Sequence, residues 1–181
     1  MIVFVLAFLA LSFLPNFSNA SITCPSYPIG LGGTADSVDY LALDVTSTGD
    51  KVVVGGECRD SNICPGGSNP DPIIELVDTA TRDFLWTYQI TGSSYRSVLN
   101  IKFSPDASKI GAVLNLDDTT GLTLLMLTAS NGNLLYAVRN TTMRMNNKHT
   151  LFSRSLLVEN DGTVLMTLFV EWRMNMFKLA P

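Results

Sequence analysis

Ile101-Lys-Phe-Ser-Pro-Asp-Ala-Ser-Lys-Ile-Gly-Ala112 is the stretch whose reading decides the fold. It begins as an apolar strand, breaks at Ser104-Pro105-Asp106 and resumes as a second apolar run. Pro presets its own φ and Asp bonds to backbone N–H groups nearby, so the break reads as a tight turn joining two antiparallel strands. Two other segments have the same sense: Leu43-Asp-Val-Thr-Ser-Thr-Gly-Asp-Lys-Val-Val-Val54 and Leu156-Leu-Val-Glu-Asn-Asp-Gly-Thr-Val-Leu-Met166. Aligning Val45, Phe103 and Val158 spaces the three by 58 and 55 residues. Self-similarity of this kind marks a repeat architecture, in which no unit buries its own apolar faces alone.

Working outward, each hairpin is followed by a second half-repeat. Ile73-Ile-Glu-Leu-Val-Asp-Thr-Ala-Thr-Arg-Asp-Phe-Leu-Trp86 resembles Leu124-Leu-Met-Leu-Thr-Ala-Ser-Asn-Gly-Asn-Leu-Leu-Tyr136, and Asn175 to Leu179 supplies a third strand to the last unit. Long 3.6-residue periodicity is absent, and short runs rich in Val, Ile, Leu and Thr alternate with turn residues. The fold class expected is all-β, with repeated four-stranded antiparallel units. Phe103-Ser-Pro-Asp106, an apolar strand, and then Ala129-Ser-Asn-Gly-Asn-Leu-Leu-Tyr136 resemble a blade of the WD-repeat or quinoprotein-like β-propellers. Ala107 stands where that pattern has Gly, Leu127 where a blade often has Asp, Asp78 keeps that Asp in the first unit, and the Trp-Asp dipeptide itself is absent. The resemblance covers about residues 36–179 and implies a shape rather than an activity.

The expected organisation is a signal peptide over 1–20, an irregular Pro- and Gly-rich lead-in over 21–35, and a partial propeller-like domain over 36–181. Its units span about 36–90, 91–140 and 141–181. Ile2 to Leu14 has the length of a signal h-region, and Ser18-Asn19-Ala20 offers small residues before a cut at Ser21. The n-region carries no Lys or Arg, which departs from the usual pattern; an uncleaved anchor or a buried strand is the competing reading. Known rings use about four to eight blades, so three readings compete. The chain is part of a longer one, or it assembles with other chains, or it is an open stack or sandwich.

Twelve basic residues against sixteen acidic ones give a net charge of −4. No basic stripe is present to neutralise phosphates, so nucleic acid is excluded as a partner, and after signal cleavage no stable membrane insertion is expected. A protein or a glycan remains as the partner, with self-assembly if the chain is complete. Cys58 and Cys64 flank a short polar loop and are the expected disulfide. Cys24 is then the odd thiol, and its pairing with either of the others is the competing connectivity. Asn140-Thr-Thr142 is an N-glycosylation sequon between the second and third units.

No constellation for catalysis, cofactor binding or metal binding stands out. Gly55 to Pro72 reads as a long loop in which Glu57, Asp60, Asn62, Asn69 and Asp71 offer oxygens, but the spacing of an EF-hand is missing. His149, the single histidine, lies in a polar connection without a Gly-x-Ser-x-Gly elbow, and Asp117-Asp118 reads as a hairpin turn. Trp86, Tyr88, Tyr136 and Trp172 read as packing between units. Two functions follow: a secreted non-enzymatic binding or scaffold protein, or part of a larger quinoprotein-like or hydrolytic propeller enzyme whose active site lies outside this chain.

Overall fold

Short apolar runs separated by turn residues become eleven strands in the computed structural model, which describes residues 36–65, 70–91, 95–116, 122–140, 155–170 and 173–179. The first sheet contains β1 (Val38–Val45), β2 (Lys51–Cys58), β3 (Asp71–Asp78) and β4 (Phe84–Gln89). The second contains β5 (Tyr95–Phe103), β6 (Lys109–Leu116), β7 (Leu122–Thr128) and β8 (Leu134–Asn140). The third contains β9 (Ser155–Val158), β10 (Val164–Val170) and β11 (Arg173–Leu179). Each sheet is antiparallel, with its strands in sequence order from one edge to the other. The all-β expectation of repeated four-stranded units holds, and the arrangement is propeller-like.

The sheets stack because their middle strands are apolar on both sides. β3 and β7 read as almost continuous apolar runs and are buried along nearly their whole length, as expected of strands covered on two faces. Ile110, Ala112, Leu114, Leu125 and Leu127 of the second sheet share one core with Val53, Ile74 and Leu76 of the first. Val113, Leu124 and Met126, pointing the opposite way, share another with Leu156, Val158 and Val164 of the third. We call the face a sheet turns toward its successor trailing, and the opposite face leading. First strands meet first strands, β1 against β5 and β5 against β9. The equivalence extends to defects: the pairing of β1 with β2 slips between Tyr40 and Ala42, that of β5 with β6 between Val98 and Asn100.

Polar side chains stitch the stack. Trp86 Nε1 donates to the Ala129 carbonyl at 2.8 Å and the Tyr136 hydroxyl donates to the Gly162 carbonyl at 2.6 Å, each crossing from the outer strand of one sheet to a turn of the next. Asp44 accepts from Lys102 Nζ and from the Phe103 backbone N–H, both at 2.8 Å. Trp86 and Tyr88 therefore pack between sheets as expected, while Trp172 lies outside the described residues.

The hairpin turns are closed by one recurring device. In Ser104–Ser108 the Ser104 and Ser108 hydroxyls and the Ser108 N–H all donate to Asp106 Oδ1. In Thr46–Asp50 the hydroxyl and carboxylate have exchanged places, Thr48 matching Asp106 and Asp50 matching Ser108, yet both threonines still donate to Asp50 Oδ1. The turn also needs a left-handed residue, which is Gly49, Ala107 and Gly162 in the three sheets. In the β3–β4 and β7–β8 turns the same need falls on Arg82 and Gly132. Asp78 N–H bonds Asp83 O as Thr128 N–H bonds Asn133 O, so Thr128, not Leu127, holds the place of Asp78. Leu127 is instead a fully buried core residue.

Two outcomes follow. Arg82→Gly, at an exposed position, relieves the left-handed backbone and raises stability by about 0.5–1 kcal/mol in denaturant titration. Gly132→Ala lowers it by about 2 kcal/mol, because a Cβ there sits 2.9 Å from the Trp86 indole as well as at φ 70°. The second outcome concerns acid. Hydrogen bonds from the Ser104 hydroxyl, then from the Ser108 N–H and hydroxyl, hold the Asp106 carboxyl down to about 2. A carboxyl lowered on folding contributes stability that is complete above the ordinary Asp range and lost as pH falls through its folded value. NMR titration is expected to put Asp106 near 2, and Ser104→Ala to move it upward.

Candidate functional site

The leading face of the first sheet differs from its counterpart in the second at chemically decisive positions. Register matches Tyr40 with Val98, Gly56 with Leu114 and Glu75 with Leu125. Three apolar places in an internal interface thus become a phenol, a bare backbone and a carboxylate. Gly56 lies opposite Tyr40 in the ladder and offers no side chain to obstruct it, so the Tyr40 hydroxyl reaches diagonally to donate to Glu75 Oε2. Thr87 Oγ1 donates to Glu75 Oε1 at 3.1 Å, and Gln89 Nε2 donates to Asp71 Oδ2 at 2.9 Å. Glu75 and Asp71 are both buried. A buried carboxylate needs donors, and here two hydroxyls supply them, with no cation paired to Glu75 among the described residues. Burial first, then the hydrogen bond to Glu75 and its charge, push the Tyr40 phenol well above its ordinary value.

One end of this face is closed by the Cys58–Cys64 disulfide, whose Cα atoms are 6.3 Å apart. The two cysteines pack with Ile73, and Val38, Tyr40 and Ile63 lie against them. The loop is shorter than its composition suggested. Gly55 to Cys58 belong to β2 and Asp71-Pro72 to β3, leaving 59–70 between the strands. The glycines are strand residues because neighbours press on them: a Cβ at Gly55 meets Val98 at 2.7 Å, and one at Gly56 meets the Asp39 carbonyl oxygen at 1.8 Å.

Among the described residues the loop oxygens are engaged separately. Glu57 pairs with Arg59 at 2.9 Å and Asp71 with Gln89. The buried Asp60 carboxylate accepts the Asp36 N–H at 3.1 Å and the Asn62 N–H at 2.7 Å, shaping the turn from within. Asn69, Cys24, Asp117, Asp118 and His149 lie outside the described residues. Asn140 ends β8 opposite Leu122, and the rest of its sequon falls outside. The Tyr40–Glu75–Thr87 cluster escaped sequence reasoning, because its members are far apart in the chain. The one local signal was a Glu at position 75 inside the apolar run Ile73 to Val77.

No family profile matches the chain, and no curated protein matches it in sequence. Among solved structures it is similar to the hydrazine synthase of Kuenenia stuttgartiensis, at 13% identity and a TM-score of 0.41, over 76% of this chain and 46% of that one. It is also similar to the β-propeller domain of the trilobed protease from Pyrococcus furiosus, which has an open velcro topology, at 10% identity and a TM-score of 0.39, over 76% and 43%. The chain spans less than half the length of either. Both likenesses are of fold, and neither bears on ligand or chemistry.

Tyr40→Phe is expected to lower stability by about 1 kcal/mol, since it removes one donor from a buried carboxylate at a partly exposed ring. A phenol raised on folding contributes stability that is full below its ordinary value and lost as pH rises through the folded one. The wild-type protein should therefore lose stability above roughly pH 10, and Tyr40→Phe should lose less over the same interval in alkaline unfolding curves.

Proposed function

We propose that this chain is a secreted, non-enzymatic binding or scaffold protein that offers the β1 strip of its first sheet's leading face to a macromolecular partner. One observation carries the reading: Leu43 and Val45 on that face are 64% and 44% exposed, whereas Ile101 and Phe103, the same positions in the second sheet, are 0% and 8% exposed. Large apolar residues left open where the repeat otherwise buries them mark an interaction surface. Four turn carboxylates, by contrast, are engaged locally: Asp50, Asp78, Asp106 and Asp161 all accept hydrogen bonds from their own turns.

Secretion rests on the apolar run Ile2 to Leu14, the small residues before Ser21 and a disulfide that an oxidising compartment would preserve. Among the described residues no helix is long and apolar enough to cross a membrane. Within the same reading, Asn140 carries a glycan in a eukaryotic host, and the motif likeness to WD-repeat or quinoprotein-like blades describes the sheets' shape rather than their chemistry. The open end faces favour one alternative, a larger quinoprotein-like or hydrolytic ring whose active site is on other sheets.

Expression in secreting eukaryotic cells tests the reading. The medium should contain a chain beginning at Ser21, with Cys58 and Cys64 blocked to alkylation until reduced, and Asn140→Gln should remove a glycan-sized mass. A chain retained in the cell with Met1 intact and all thiols reactive sinks it.

A further inference from the structure

The turn between β7 and β8 holds the only Asn-Gly pair in the chain, Asn131-Gly132. In such a pair the glycine nitrogen, with no side chain beside it, is free to attack the preceding carboxamide. The fold opposes that attack. The Gly132 N–H donates to the Thr128 carbonyl at 2.9 Å, and Asn131 Oδ1 accepts the Asn133 N–H at 3.1 Å. Gly132 is buried with its nitrogen occupied, while Asn131 stands exposed to water.

The matching turn of the first sheet reaches the same geometry without a carboxamide. Thr81 stands at the place of Asn131 and Arg82 at that of Gly132. The Thr81 hydroxyl accepts the Asp83 N–H at 3.3 Å, and the Arg82 N–H donates to the Asp78 carbonyl at 2.8 Å. That turn is braced further by the Asp78 carboxylate, which accepts the Ala80 and Thr81 N–H groups, both at 2.9 Å. Thr128 takes the place of Asp78 in the second sheet and brings no carboxylate. Instead the turn is packed against Trp86 of the first sheet. A Cβ on Gly132 would come within 2.9 Å of the indole, and Trp86 Nε1 donates to the Ala129 carbonyl in the same turn at 2.8 Å.

We propose that Asn131 is a site of spontaneous deamidation gated by this turn, and that its isoaspartate product unseats Trp86. When the turn opens, the Gly132 nitrogen gives its proton to water or hydroxide and bonds to Asn131 Cγ. The Cγ–Nδ2 bond breaks, the amide nitrogen takes a proton back from solvent and leaves as ammonia, and a succinimide remains. Water then opens the ring at either carbonyl, yielding aspartate or isoaspartate. No oxidant or reductant is involved. Aspartate keeps the acceptor for the Asn133 N–H and with it the turn. Isoaspartate runs the chain through the former side chain and lengthens the backbone just before Gly132, where the indole leaves no slack. Opening a surface turn takes less free energy than unfolding the stack, so the reaction proceeds from the otherwise folded protein.

The test is the rate at which the purified, oxidised protein acquires isoaspartate at position 131 in mildly alkaline buffer, read by peptide mapping. The folded protein is expected to react at least about tenfold more slowly than the same protein unfolded in urea with its disulfide kept. Asn131→Thr, which copies the first sheet's turn, should give no product there and sets the background. Protein aged in urea and refolded should show a shifted or lost Trp86 indole N–H resonance in its isoaspartate fraction, whereas Asn131→Asp should keep that resonance. Equal rates in the folded and unfolded protein overturn the gate. An isoaspartate fraction indistinguishable from Asn131→Asp overturns the effect on Trp86, and an unfolded chain that forms none at position 131 overturns the site itself. Neither secretion nor a binding partner enters these outcomes.

Discussion

The middle sheet has no hydrophilic face, and most of the molecule answers to that. Along β6 and β7, Ile110, Ala112, Leu125 and Leu127 point to one side while Val113, Leu124 and Met126 point to the other. Each buried Leu, Ile or Met of this kind is worth about 1.5–3 kcal/mol relative to water, but only with a second sheet on each side. The unit of stability is therefore the interface between sheets, and the single sheet is not a stable object. The low charge of the chain follows, since charges have room only in turns, at edges and in a few paired positions.

Turn chemistry is the second consequence. Two antiparallel sheets stack in register only if their hairpins reverse at equivalent places, and the hydroxyl–carboxylate clusters at Thr46–Asp50 and Ser104–Ser108 enforce that reversal. They do so with the partners exchanged, which shows that the requirement is for a donor and an acceptor across the turn rather than for a given residue at a given place. The carboxyls of Asp50 and Asp106 are held low first by hydroxyl donors, and that of Asp161 first by the Thr163 backbone N–H. They are turn parts, and their acidity reports local hydrogen bonding.

The first sheet is built to the same plan and then altered on its leading face. Tyr40, Gly56 and Glu75 replace Val98, Leu114 and Leu125, and the disulfide loop closes one end over Ile73. A polar cluster placed where an internal sheet is apolar stabilises little by itself, because the carboxylate must be desolvated before its donors compensate. Its effect is to make this face chemically unlike its counterpart in the second sheet, which is apolar at the same three places.

Strand content, hairpins and the period of the repeat were legible in the chain, since they depend on alternation and turn residues within a few positions of one another. Phe103-Ser-Pro-Asp106 and its two relatives suffice for that. The Leu127 alignment failed by one residue because a turn's register is fixed by backbone bonds such as Thr128 N–H to Asn133 O, which composition does not encode. The loop's extent was overestimated because glycine and acid content imitate a loop. Only the stacked neighbours reveal that Gly55 and Gly56 are glycines for want of space. Which apolar residues are covered was likewise beyond the sequence, for Leu43 and Ile101 are alike in local pattern and differ only in whether another sheet lies against them. Local sequence determined the strands and their turns; the order of stacking decided which faces are core and which are open, because burial belongs to pairs of sheets and not to residues.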